Sequence, residues 1–205
     1  MYGYKEFKIF NTDSLIKKHP ELIGDKIFVD GPIAVKLMKT DENEYNDSSL
    51  AIISRVLHDY LSNEDDSMAV ITLPSSPLFV TKKQAVVLRE ELLSKGFLKA
   101  VVALPPMWRG TAIGTNLLVI SRKSQDEVVF INAADVLTKD KKDFVGESLL
   151  PQERIDLITE AIIKEENIIG FSRVVSCEEI KNNENFSKLA IYNWQLVVAR
   201  ENSRA

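Results

Sequence analysis

Apolar residues along this chain fall into short blocks, and the spacing within each block predicts a different element. Met68-Ala69-Val70-Ile71-Thr72-Leu73-Pro74 and Leu98-Lys99-Ala100-Val101-Val102-Ala103-Leu104 are near-continuous apolar runs of strand length, the pattern of strands buried on both faces of a parallel sheet. Lys26-Ile27-Phe28-Val29 reads as a shorter strand, and Phe7-Lys8-Ile9-Phe10 as another, before the turn-prone Asn11-Thr12-Asp13-Ser14. Residues 39–47 are polar and acidic, a loop by composition. Leu50, Ile53, Val56-Leu57 and Tyr60-Leu61 then recur at helical spacing, with Ser48-Ser49 as the cap and Asn63-Glu64-Asp65-Asp66 as the end. Thr81 opens a second helix carrying Ala85, Leu88, Leu92 and Leu93 on one side, and Gly96 stops it. Pro105-Pro106 ends the strand that follows. Thr115 to Ser121 and Glu127 to Ile131 read as two strands whose polar link, Arg122 to Asp126, suits a hairpin. Together these predict an α/β fold, a mostly parallel sheet with a late antiparallel hairpin. The character changes near residue 148. Ile155, Ile158, Ile162 and Ile163 mark a further helix, Phe171 to Cys177 a short strand, and the polar end carries only isolated Phe186, Tyr192 and Trp194. The expected division is an α/β domain at 1–148 and a small helical C-terminal extension at 149–205.

Composition narrows the chemistry. The 205 residues are 45% hydrophobic and 27% charged, ordinary values for a globular domain. Cys177 is the one cysteine, and His19 and His58 are far apart, so a disulfide framework is excluded and no metal site is expected. Tyr2-Gly3-Tyr4-Lys5-Glu6 lacks the apolar core of a signal peptide, and no run of about 18 apolar residues could cross a membrane; a cytoplasmic location is expected. The net charge is −4. Lys17-Lys18, Lys82-Lys83 and Lys139 to Lys142 are scattered among acids, whereas affinity for nucleic acid comes from clustered cations that displace counterions from phosphates. Contact with DNA is therefore expected only inside a larger assembly.

Asp30-Gly31-Pro32-Ile33 directly follows the Lys26 to Val29 run. An acid or amide and two prolines after a short strand is how adenine-N6 DNA methyltransferases present their reacting group, in a motif Asp/Asn/Ser-Pro-Pro-aromatic. Positions one and three match; Gly31 stands for the first proline and Ile33 for the aromatic. Downstream, Ala69 to Pro74, Leu88-Arg89-Glu90-Glu91-Leu92-Leu93, Leu98 to Pro105, Gly110-Thr111-Ala112-Ile113-Gly114-Thr115-Asn116-Leu117-Leu118-Val119-Ile120 and Val128-Val129-Phe130-Ile131-Asn132-Ala133 follow in order. With these segments the chain resembles the N6-adenine DNA methylase family, specifically the methylation subunit of type I restriction-modification enzymes. The likeness is most specific from Met68 to Ala134 and extends more weakly over about residues 7 to 182, taking in Phe10 to Leu15 and Val175 to Ile180.

The resemblance implies a partial Rossmann-like, S-adenosylmethionine-dependent methyltransferase sheet with helices on both faces. In the family, the acid or amide and the prolyl carbonyl hold the adenine amino group while the aromatic stacks on the flipped base, offsetting part of the cost of flipping. Ile33 has no π-face, and Gly31 fixes the main-chain acceptor less firmly than proline. The family's glycine-rich cofactor turn and its ribose-binding acid precede the catalytic loop, yet upstream of Asp30 only isolated Gly3 and Gly24 occur. The chain thus resembles the latter half of a methyltransferase whose first strands, one of them central, are missing. Asp13 reads either as a remnant of the acid near the cofactor adenine or as the start of an Asx turn. Pro105-Pro106-Met107-Trp108 imitates the motif but follows Leu104 instead of an acid. Trp108, Arg109 and Thr111 are expected on a partner-facing or DNA-facing loop, and Trp108 reads equally as a cover for the sheet edge. Cys177 reads as packing. The expected function is a degenerate, non-catalytic relative of the methylation subunit that acts as an interaction module, binding no cofactor alone, with specificity and restriction subunits as natural neighbours. The alternative is half of an adenine-N6 methyltransferase, its S-adenosylmethionine site supplied by missing sequence or a partner chain. In that scheme Asp30 and the Gly31 carbonyl polarise the amine. A third reading is a regulatory protein that borrows the subunit's surface. Missing strands would expose a sheet edge, which a homodimer, a complementing chain or a rearranged N-terminus would cover.

Overall fold

The computed structural model describes residues 8–15, 18–32, 35–38, 44–105, 114–134 and 151–182. Its strands are β1 Lys26–Asp30, β2 Met68–Pro74, β3 Leu98–Leu104, β4 Thr115–Ser121, β5 Glu127–Asn132 and β6 Ser172–Ser176. They form one sheet in the order β1-β2-β4-β3-β5-β6. β1 pairs parallel with β2 and β3 with β5, while β4 and β6 run against their neighbours. Four strands therefore point one way and two the other. The molecule is an α/β protein, as the alternation of patterns predicts.

Helices cover both faces. α1 (Ser48–Arg55) continues as the π-helical turn Val56–Tyr60 and links β1 to β2. With α2 (Lys83–Ser94) and α4 (Cys177–Asn182) it buries Ile52, Leu57, Leu88 and Leu92 against Ile71, Leu73, Leu118 and Phe130. The opposite face is closed by α3 (Gln152–Lys164), whose Ile158 and Ala161 pack on Val102, Val129 and Ile131. That cover thins towards β1. Met68, Val70 and Leu117 on this face are half-buried, and Phe28 is 69% exposed.

Four expectations are corrected. β4 and β5 form no hairpin, because β3 lies between them. Both are almost wholly buried apolar strands, and each satisfies its backbone with two neighbours. Their link steps across the turn before β3, with the Ser121 N–H on the Phe97 carbonyl and the Gln125 N–H on the Gly96 carbonyl, both at 2.9 Å. Residues 8–10 are not a strand: they run irregularly over the surface, with Ile9 84% exposed. The cap of α1 is Asp47, whose carboxylate accepts from the N–H groups of Ser49 at 3.0 Å and Leu50 at 3.2 Å. α2 begins at Lys83 without a side-chain cap. Gly96 does end α2, at φ +66, where a Cβ would come within 2.6 Å of the Gln125 carbonyl oxygen. The division at 148/149 falls outside the described residues. No helix among those described is long and apolar enough to cross a membrane.

Candidate functional site

The motif found in the sequence sits where β1 leaves the sheet. Asp30 is exposed and pairs in register with Thr72 of β2. Gly31 turns beneath α1, and a Cβ placed there would meet Cδ1 of Ile52 at 2.4 Å. The Pro32 carbonyl accepts the Ser48 hydroxyl at 3.0 Å. The Ser48 Oγ in turn accepts the Val35 N–H at 3.2 Å, and the Ser48 N–H returns to the Val35 carbonyl at 3.0 Å. Ser48 is thus spent on clamping the loop to the head of α1, which is why the capping role falls to Asp47. Ile33, Trp108, Arg109 and Thr111 lie outside the described residues.

Asp13 forms an Asx turn, accepting the Leu15 N–H at 3.0 Å. The contacts of this turn run to the far end of α1: Tyr60 donates to the Ser14 carbonyl at 2.7 Å and Arg55 Nε to the Leu15 carbonyl at 3.1 Å. Arg55 also pairs with Asp59 at 2.8 Å, and Lys18 reaches Asp59 at 2.6 Å. Burial pushes Asp59 up, but these hydrogen bonds and charges outweigh it and hold the carboxyl below its ordinary value. So the structure places Asp13 at one end of α1 and the Asp30–Pro32 loop at the other.

Sequence reasoning did not single out three polar side chains at the same end of the sheet as Asp30. Ser75, just past β2, accepts Nδ2 of buried Asn116 at 2.9 Å. Asn132, 2% exposed at the end of β5, accepts the Ala134 N–H at 3.1 Å, and its own Nδ2 is buried without a partner among the described residues. Amides interrupting apolar runs were the available signal.

The other candidates are structural. Cys177 is buried, and burial pushes its thiol up. His19 contacts Thr12 and Glu21, while His58 bridges Ser54 and Glu91. Among the described residues no group of three or more His, Cys, Asp or Glu could hold a metal ion. An open cavity of about 780 Å³ lies at the opposite end of the sheet, bordered by Asp66, Met68, Lys99, Lys123, Gln125 and Glu127 among others. It is remote from the motif.

Residues 4–196 match the N-6 DNA methylase family. A type I restriction enzyme methylase subunit (MjaVII) of Methanocaldococcus jannaschii is 32% identical over 128 residues, which are 60% of this chain and 22% of that protein. The crystal structure of a type I restriction-modification methyltransferase subunit from Streptococcus thermophilus superposes with a TM-score of 0.74 at 21% identity, over 89% of this chain and 41% of that one. A structure of the type I system addressing its assembly and conformational transition gives a TM-score of 0.68 at 18% identity, over 85% of this chain and 39% of that one. The chain therefore spans about two-fifths of the matched structures and about a fifth of the curated relative. The fold is that of a type I restriction-modification methyltransferase subunit, and the chain belongs to the N-6 DNA methylase family.

Proposed function

We propose that this chain is a non-catalytic relative of the type I methylation subunit that serves as an interaction module. The observation that carries the reading is the packing at Gly31. In the family motif that position is a proline, and here the space its Cβ would need is filled by Ile52, with a 2.4 Å approach. Binding an extruded adenine requires the amine to be held in one geometry, and small misplacements cost large factors in rate. A glycine in place of the first proline and an isoleucine in place of the aromatic weaken both parts of that grip. Expected partners are the specificity and restriction subunits of a type I system, and DNA is met through that assembly.

The competing reading keeps Asp30 and the Gly31 carbonyl as the amine-polarising pair, with S-adenosylmethionine held by sequence or a chain lying elsewhere. What favours it is that Asp30 remains exposed at the end of β1. A methyl-transfer assay decides between them. The chain, alone and with specificity and restriction subunits, is given labelled S-adenosylmethionine and adenine-containing duplex DNA. No label is expected in the DNA in either case. Transfer that disappears in Asp30→Ala would establish the enzyme reading instead.

A further inference from the structure

The outer edge of β1 has no strand partner among the described residues, and its sequence is self-complementary. The Met68 N–H donates to the Asp25 carbonyl. By the alternation of a strand, Asp25, Ile27 and Val29 therefore turn their backbone groups towards β2, and Lys26, Phe28 and Asp30 turn theirs to the open edge. The side chains of Lys26, Phe28 and Asp30 share one exposed face, while Ile27 and Val29 are half-buried on the other. An edge with free N–H and C=O groups is a template for a further strand.

We propose that this edge pairs with the same edge of a second copy of the chain, antiparallel and centred on a two-fold axis at Phe28. In that register Phe28 faces Phe28, Lys26 of each copy faces Asp30 of the other, and Ile27 faces Val29. Backbone groups of all three outward residues are satisfied, opposite charges meet at both ends, and the two aromatic rings meet at the centre. Phe28 lies beside half-buried Val70, which lies beside Val119, so pairing makes one apolar row across both sheets. It covers a ring that is 69% exposed. Lys26 already reaches the Asp66 carbonyl and carboxylate, but both side chains of that ion pair are exposed and the ammonium has donors to spare. The proposal deepens the interaction-module reading by naming what covers the edge.

Sedimentation velocity over a range of concentrations tests it, with melting curves confirming that each variant folds. The wild-type mass should rise from 23.1 kDa to twice that value with concentration. Lys26→Asp and Asp30→Lys, each of which sets like charges opposite one another, should abolish the rise, as should Phe28→Glu. The Lys26→Asp/Asp30→Lys double variant should restore it. A wild-type chain that stays monomeric overturns the proposal. So does a dimer indifferent to the single reversals, or a double variant that does not recover. A heterologous strand from another protein would not track the charge swap. Loss of the dimer leaves the non-catalytic reading untouched, since methyl transfer is read separately.

Discussion

At Gly31 the obstacle to any larger residue is the end of the Ile52 side chain, itself only 3% exposed. Gly31→Ala is therefore expected to lower stability by about 1–3 kcal/mol through overpacking, measured by urea denaturation. Ile52→Val in the same chain should recover part of that loss, giving a non-additive pair. Equal costs with and without the Ile52 change would show that the contact does not govern position 31. The glycine is legible in the sequence as a departure from the family motif. Its cause is not, because Ile52 approaches through the packing of α1 over the end of β1, and no local pattern encodes that contact. Ser48 is a similar case. Its position invites a capping role, and only the folded loop shows its hydroxyl taken by the Pro32 carbonyl.

Among the elements, α1 depends most visibly on one side chain. Asp47→Ala removes the acceptor for two orphan N–H groups and should cost about 0.5–2 kcal/mol, seen as a lower Tm. Gly96→Ala should cost at least as much, since it combines a φ of +66 with a clash against the Gln125 backbone; a neutral result would mean that the turn before β3 can rearrange. Hydrophobic spacing gave the strands β1 to β6 and the helices α1 to α3 nearly in full, because each buries a face whose period is written in the chain; the short α4 it did not give. Partnering was the other part it did not give. β4 and β5 are close in sequence and polar between, as a hairpin is, yet the pairing depends on which neighbour can bury both faces of each strand. Residues 8–10 carry a strand-like pattern but stay exposed and irregular on the surface.

Across the whole molecule, two carboxylates tie separate parts together. Asp59 holds Lys18 and Arg55, and Glu91 on α2 holds His58 beyond the end of α1 as well as Lys95. Burial pushes Glu91 up, but the hydrogen bonds and charges of Lys95 and His58 outweigh it, so Glu91, like Asp59, lies below its ordinary value. A lowered folded value contributes stability that is fully present above the unfolded value and is lost as pH falls through the folded one. The Tm should hold down to the ordinary carboxylate range and fall below it. Asp59→Asn and Glu91→Gln should lower the Tm at neutral pH and flatten that acid limb; an unchanged limb would place the acid sensitivity elsewhere.

At this scale, the motif strand β1 is the edge of the sheet among the described residues. The proposal that this chain binds no cofactor on its own is tested most directly by calorimetric titration with S-adenosylhomocysteine, at concentrations able to detect millimolar binding, paired with a melting curve. No heat of binding and no rise in Tm are predicted. Saturable one-to-one binding with a matching rise in Tm would contradict the account and locate a cofactor pocket within these residues.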